Sequence, residues 1–344
     1  MQRLPLTYTP YRMEMSEYDE VVRRFEEFSS KTLFHERPWL EYLEATGKGK
    51  PEVLALRDEA GDTPAYHIWL TRRIGPVKVM GSPLPGWTTN FMGPLMGADT
   101  DLDSVLVSLK RYMWRNGYLY AELKNQALDE NNMLAHGFQP VRDVTAVLQI
   151  APTEEETWSK LKSTARNRVR KAQKSLVAET TTDLDMIDEY YELIVERYRE
   201  QGMSFPFSVE RLKTLARCLL PHGRLLMVKV THEGELAAAG LFPHDERTIY
   251  YFGGASKRSL TKLCPNELMH WTAISHAVEQ GIGSYDLCGT SQFKRKFGAT
   301  NEEVITWCYS PVPGLLLART ALIRLHWARL RLLHRLKSWM GGKK

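Results

Sequence analysis

The stretch FKRKFGA, residues 293–299, sets Lys294, Arg295 and Lys296 between two phenylalanines, directly after the apolar, strand-like YDLCG of 285–289. A second concentration of positive charge, WSKLKSTARNRVRKAQK (158–174), holds seven basic residues and no acid. At 100° per residue, Trp158, Leu161, Ala165, Val169, Ala172 and Leu176 form one apolar stripe. Lys162, Arg166, Arg170 and Lys174 recur at i, i+4 beside it. Aligned like charges with no acid between them repel, so an anionic partner for Arg166 and Arg170 explains the pattern better than a solvated face does.

Other chemistries lack their residues. GSPLPGW (81–87) lacks the Lys-Ser/Thr pair of a phosphate loop, and no G-x-G-x-x-G follows a strand, which argues against triphosphate and dinucleotide binding. There is no H-E-x-x-H and no G-x-S-x-G, and the ten histidines are scattered. Cys218, Cys264, Cys288 and Cys308 form no C-x-x-C pair, so neither a zinc site nor a disulfide framework is indicated, and a reducing cytoplasm fits best. Cys264 and Cys288 are isolated in apolar surroundings, where a cysteine more often packs than attacks. GSPLPGWTTNFMGPLMG (81–97) is a long Gly/Pro loop of the kind that often carries function, with Trp87 its foremost contact residue.

The elements that must position these groups come in two sets. VLALRDEAGDTPAYHIWL (53–70) and LLMVKVTHEGELAAAGLF (225–242) both read as strand, acidic Gly-containing turn, strand. Each half continues with a helical stretch (from Asp103; from Asn266), a glycine and a short strand (GYLYAEL; GIGSYDL) closed by Glu122 or Asp286. A Gly-containing turn then leads to a β-branched strand (from His136; from Arg295). Two copies of one mixed α/β unit are the simplest account. Pro152, Thr153 and the glutamates of QIAPTEEETW put the boundary near residue 151, giving domains at 1–150 and 151–314.

LKSTARNRVRKAQKSLV (161–177), YYFGGASKRS (250–259), CPNELMHWTAISHAVEQGIGSYDLCG (264–289) and FKRKFGA together resemble the FemABX family of aminoacyl and acyl transferases, over roughly residues 158–310. The resemblance implies two tandem GNAT-like domains, in agreement with the duplication, and acylation of an amine. No bound cofactor is implied; the co-substrate would be aminoacyl-tRNA or acyl-CoA, and the acceptor a phosphate-bearing molecule of the cell envelope, as in peptidoglycan synthesis. It places Lys294 in the donor and acceptor cleft, where its charge would neutralise a phosphate or the oxyanion formed when an amine attacks an ester. Phe293 would anchor it, and Asp286 would be the base or the base's orienting partner. Asp286 reads equally well as a strand-end carboxylate paired with Lys294 or Arg295. Arg199 resembles an arginine that faces the acceptor's phosphates, and Tyr251 would line the cleft; a surface partner on an acidic helix and a core aromatic are the alternatives. Two features of relatives are missing. Ser175 to Asp188 offers no heptad run for a coiled-coil arm, and SKRSLTKLCPNELMH has no glycine between Ser256 and His270, where ordinary GNAT enzymes wrap a pyrophosphate. Acetyl-CoA is therefore the weaker donor.

The net charge of +5 is local, since residues 315–344 alone carry eight Lys or Arg and no acid. Arg324, Arg331 and Arg335 gather on one side of a helical wheel and Leu322, Leu325, Leu332, Leu336 and Trp339 on another. That is a basic amphipathic helix suited to an anionic membrane surface, unless it docks on the protein body. No uninterrupted apolar segment opens the chain, so no secretory signal or membrane span is expected there. The sequence thus points to a cytoplasmic enzyme, peripheral on the inner face of the membrane if the tail binds lipid. The alternatives are a CoA-dependent GNAT N-acetyltransferase and a non-catalytic membrane or nucleic-acid adaptor built on the two basic helices.

Overall fold

The computed structural model describes residues 8–13, 17–18, 22, 28–86, 88–321 and 325. After β1 (Thr9–Met13) and a 3-10 turn at Leu33–His35 come α1 (Arg37–Ala45), β2 (Lys50–Arg57), β3 (Ala65–Ile74), β4 (Val77–Ser82), β5 (Pro94–Met96), α2 (Leu102–Arg115), β6 (Tyr120–Leu123), α3 (Glu130–Ala135) and β7 (Gln139–Gln149). The second half holds α4 (Glu154–Lys160), α5 (Ser163–Ala172), β8 (Val177–Thr180), α6 (Asp185–Glu200), α7 (Val209–Leu219), β9 (Leu225–His232), β10 (Glu235–Pro243), β11 (Thr248–Tyr250), β12 (Gly253–Ser256), α8 (Pro265–Glu279), β13 (Ser284–Asp286), α9 (Gln292–Arg295) and β14 (Thr300–Tyr309). Residues 315–321 are helical.

The order α1, β2, β3, β4, α2, β6, α3, β7 recurs as α7, β9, β10, β11, α8, β13, α9, β14, which is the duplication expected from the sequence. Local chemistry starts several of these helices: the side chains of Asp101, Thr153, Ser208 and Ser291 accept the backbone N–H three residues on.

The halves do not keep separate sheets. A ten-stranded sheet runs β1-β2-β3-β4-β6-β14-β7-β13-β11, with β5 on β3, and a four-stranded sheet runs β12-β10-β9-β8. Each half's last strand crosses over: β14 lies antiparallel between β6 and β7, and β7 pairs with β13. The register is itself two-fold, because Thr300 pairs with Val147 where Cys308 pairs with Gln139, while Val304 faces Asp143. A pseudo-two-fold axis therefore passes beside Asp143 and Val304. It exchanges Glu122 of β6 with Asp286 of β13, both buried.

Three apolar clusters surround this framework, the largest drawing on both halves through Trp39, Tyr42, Leu212 and Leu215. There the pseudo-equivalent helices α1 and α7 pack together, and the buried Arg211 guanidinium donates to the Tyr42 phenol at 2.8 Å. Burying those aromatics and leucines contributes on the order of 2 kcal/mol per side chain.

The basic segment departs from one expectation. Leu161, Ala165, Val169, Ala172 and Leu176 are buried as the stripe requires. The helix nevertheless breaks into α4 and α5, because Leu161 and Lys162 are extended and the Lys162 N–H donates to the Lys296 carbonyl at 3.0 Å. The FKRKFG turn wedges in at that joint. Gly298 makes the fit possible: its φ is +85, and a Cβ there would lie 2.3 Å from the Lys160 carbonyl oxygen.

Candidate functional site

Beyond Tyr250, β12 leaves the ten-stranded sheet for the smaller one, and its departure from β13 opens a cleft of about 480 Å³. Tyr190, Tyr198, Phe205, Tyr251, Phe252 and Phe293 give it aromatic walls, Arg197, Asn266, His270 and Lys294 supply polar groups, and among the described residues no carboxylate lines it. Helix α6 contributes one wall and the start of α8 another.

The three cations of FKRKFGA have separate fates. Lys294 is carried by α9, whose first turn Ser291 caps, and its ammonium donates to the Cys288 carbonyl at 2.9 Å. Burial pushes its pKa down, and the ammonium lies 5.6 Å from the Tyr251 ring centroid. Arg295 is exposed. Lys296 turns inward to a buried ion pair with Glu267 of α8, which Arg168 joins at 2.9 Å. Its ammonium also rests 3.7 Å from the Phe293 ring centroid. Phe293 also packs against both His270 and Phe297, and the cation it meets is Lys296.

Asp286 stands behind this turn. Its carboxylate accepts from the Thr145 hydroxyl at 2.5 Å, the Cys288 N–H at 2.7 Å and the Asn90 amide at 2.8 Å. It makes no ion pair with Lys294 or Arg295 among the described residues, so the strand-end pairing considered for it does not form. These bonds hold Cys288 left-handed at φ +55, the conformation that aims its carbonyl at Lys294. Burial and the neighbouring Asp286 carboxylate push the Cys288 thiol pKa far up, against the opposing pull of the Asn90 amide that donates to the sulfur at 3.0 Å, which argues against a thiolate nucleophile. Burial likewise raises the Cys264 thiol.

His270 Nδ1 lies 2.6 Å from the Tyr285 phenol oxygen, and burial lowers its pKa to about 3, so the ring is neutral. Burial raises the Tyr251 phenol to about 12. Neither supplies charge at neutral pH. Lys294 and Arg197 are the charged groups lining the cleft.

The other residues singled out from the sequence scatter. Arg170 is exposed with its guanidinium 5.4 Å from the Trp158 ring centroid, and Arg166 is partly exposed on the same helix; neither lines the cleft. Arg199 is exposed on α6 and does not line the cleft, whereas Arg197 and Tyr198 of the same helix do. Trp87 lies outside the described residues. Sequence reasoning missed Arg197, Asn90 and His270. Arg197 shares one helical face with Tyr190 and Ile194, the three standing at i, i+4 and i+7, a signal within reach, whereas Asn90 meets Asp286 across 196 residues with no local trace.

Residues 159–295 match the family model described as an acetyltransferase (GNAT) domain. No curated protein matches significantly. Among solved structures, FemX superposes with a TM-score of 0.70 at 14% identity, over 86% of this chain and 96% of its own. L-PGS from Bacillus licheniformis does so with 0.54 at 12% identity, covering 89% and 96%. A tandem GNAT protein from the clavulanic acid biosynthesis pathway gives 0.53 at 9% identity, covering 89% and 99%. With a GNAT domain in its second half and the same element order repeated in its first, the chain is an acyltransferase of two tandem GNAT-like domains, similar to the FemABX family.

Proposed function

We propose that this acyltransferase moves an aminoacyl or acyl group from an activated ester or thioester to an amine of a phosphate-bearing acceptor of the cell envelope. One observation carries the reading: the Lys294 ammonium is held by the Cys288 carbonyl in the wall of an aromatic cleft that, among the described residues, no carboxylate lines. A donor carbonyl seated there meets a fixed cation and no competing anion. As the acceptor's lone pair forms the new bond to carbon, negative charge collects on the carbonyl oxygen, and Lys294 stabilises it. Collapse restores the carbonyl, the alcohol or thiol departs, and the proton lost by the amine balances the charge of the leaving group. Asp286 acts as a positioning residue that fixes the Cys288 turn under Lys294.

Aminoacyl-tRNA is the favoured donor. The start of α8 is a poor cradle for a pyrophosphate, since Cys264 is left-handed, Pro265 has no N–H and the Glu267 carboxylate occupies the first turn. The match to an acetyltransferase model favours acyl-CoA as the second reading. No helix of the described residues is long and apolar enough to cross a membrane. The basic tail would bring a cytoplasmic enzyme to an anionic membrane surface, although residues 322–324 and 326–344 lie outside the described part.

Incubating the full chain with radiolabelled aminoacyl-tRNA pools or acetyl-CoA, together with cell-envelope precursors, tests this. Label should move from aminoacyl-tRNA to a precursor and depend on Lys294. Transfer from neither donor, with phosphate-rich vesicles or nucleic acid still bound, would leave the adaptor reading in its place.

A further inference from the structure

A second cavity, of about 210 Å³, lies on the pseudo-two-fold axis and is separate from the aromatic cleft. Lys124, Asp143, Thr145, Asp286 and Cys288 line it, with Phe91 on one side. Lys124 and Cys288 stand two residues after Glu122 and Asp286, so the axis that exchanges those carboxylates brings a cation from one half opposite a thiol from the other. Among the described residues the Lys124 ammonium has no hydrogen bond and no ion pair; its nearest aromatic contact is Phe91, 5.6 Å from the ring centroid. Burial lowers its pKa, and Asp143 followed by Asp286 pulls the other way.

Those two carboxylates differ. Asp286 already accepts three hydrogen bonds, whereas Asp143, at the exposed rim, accepts only its neighbour's N–H, from Val144 at 2.8 Å. Lys124 and Asp143 therefore face one cavity as opposite charges that do not reach each other. A bare anion entering would meet Asp143, and a bare cation would meet Lys124. An occupant carrying both charges a bond or two apart satisfies both.

We infer that this cavity is a subsite for a zwitterionic amino-acid head, its carboxylate on Lys124 and its ammonium on Asp143. Its wall is the Cys288–Gly289 turn, on whose other side Lys294 Nζ lies 3.9 Å from where a Gly289 Cβ would stand. An occupant is thus one residue's width from the cation of the cleft. The inference does not need the transfer reaction, because binding is read without any donor.

Titrating the full-length protein with D- or L-alanine, acetate, methylammonium and inorganic phosphate, by calorimetry or ligand-observed NMR, tests it. One of the alanine enantiomers should bind at least about tenfold more tightly than acetate or methylammonium, the worth of about 1.4 kcal/mol from the second ion pair. Lys124→Gln and Asp143→Asn should each weaken it by a similar factor, with unchanged melting temperature showing that the variants fold. Phosphate or acetate binding more tightly than alanine would make this a plain anion site and overturn the inference. Alanine binding that survives both substitutions, or no binding by any probe, would overturn it as well.

Discussion

The Lys294 ammonium donates to the Cys288 carbonyl at 2.9 Å, and Cys288 presents that carbonyl from a left-handed backbone clamped by Asp286. Lysine and carbonyl form one unit, so the charge in the cleft is fixed before substrate arrives. Lys294→Ala should lower kcat about 100- to 1000-fold without changing the melting temperature. Unchanged turnover would remove Lys294 from the reaction.

Asp286 acts through the turn, and that role separates from general-base catalysis. Asp286→Asn should lower kcat while leaving the shape of its pH profile intact. Loss of the acidic limb in the variant would instead make Asp286 the base.

Lys296 is the structural counterpart. Lys296→Ala leaves the buried Glu267 carboxylate with only the exposed Arg168 and should destabilise the fold by about 3 kcal/mol. Urea denaturation checks this, and the prediction fails if Lys296→Ala lowers kcat as Lys294→Ala does while the midpoint stays put.

His35, His67 and His270 are fully buried, and burial lowers their pKa values to about 4, 3 and 3. The unfolded chain takes up their protons below about pH 6.5, while the folded chain resists until about pH 4. Their contribution is therefore complete above pH 6.5 and is lost as pH falls, by about 1.4 kcal/mol per histidine per pH unit. Urea midpoints at pH 7.5, 6 and 5 should fall in that order. His67→Leu should flatten the decline, since it removes one of the three buried imidazoles, the one whose nitrogens both lack a hydrogen-bond partner among the described residues; a pH-independent midpoint in the parent chain would contradict this account.

The described start of the tail is tied to the body of the protein. Arg319 pairs with buried Glu122, the pseudo-equivalent of Asp286, and Leu315 and Leu316 pack on the core. Arg319→Ala should cost about 3 kcal/mol, whereas a chain shortened to residue 321 should lose co-sedimentation with anionic vesicles, at about 1 kcal/mol per basic residue removed. Equal sedimentation of the two lengths would leave no membrane role for the tail.

The duplication was legible because Glu122 and Asp286 end equivalent strands after equivalent helix-glycine steps, and these are local patterns. The apolar stripe from Leu161 to Leu176 was legible for the same reason. The strand exchange was not, since nothing in Gln139–Gln149 or Thr300–Tyr309 marks which neighbour each will choose. Nor could spacing tell Lys294 from Lys296, two residues apart; a carboxylate on another helix makes the distinction. The resemblance points to Arg199, whereas it is Arg197, two residues before it on α6, that lines the cleft.

Because β14 lies between β6 and β7, the first half cannot close its sheet with its own strands. A nascent chain leaving the ribosome exposes the free edges of β6 and β7 until Thr300–Tyr309 has been synthesised, more than 150 residues after β7, an interval during which those edges are open to mispairing. In this enzyme, closure of the first half's sheet is therefore bound to the synthesis of β14. Its halves, produced separately, would need to find each other to fold at all.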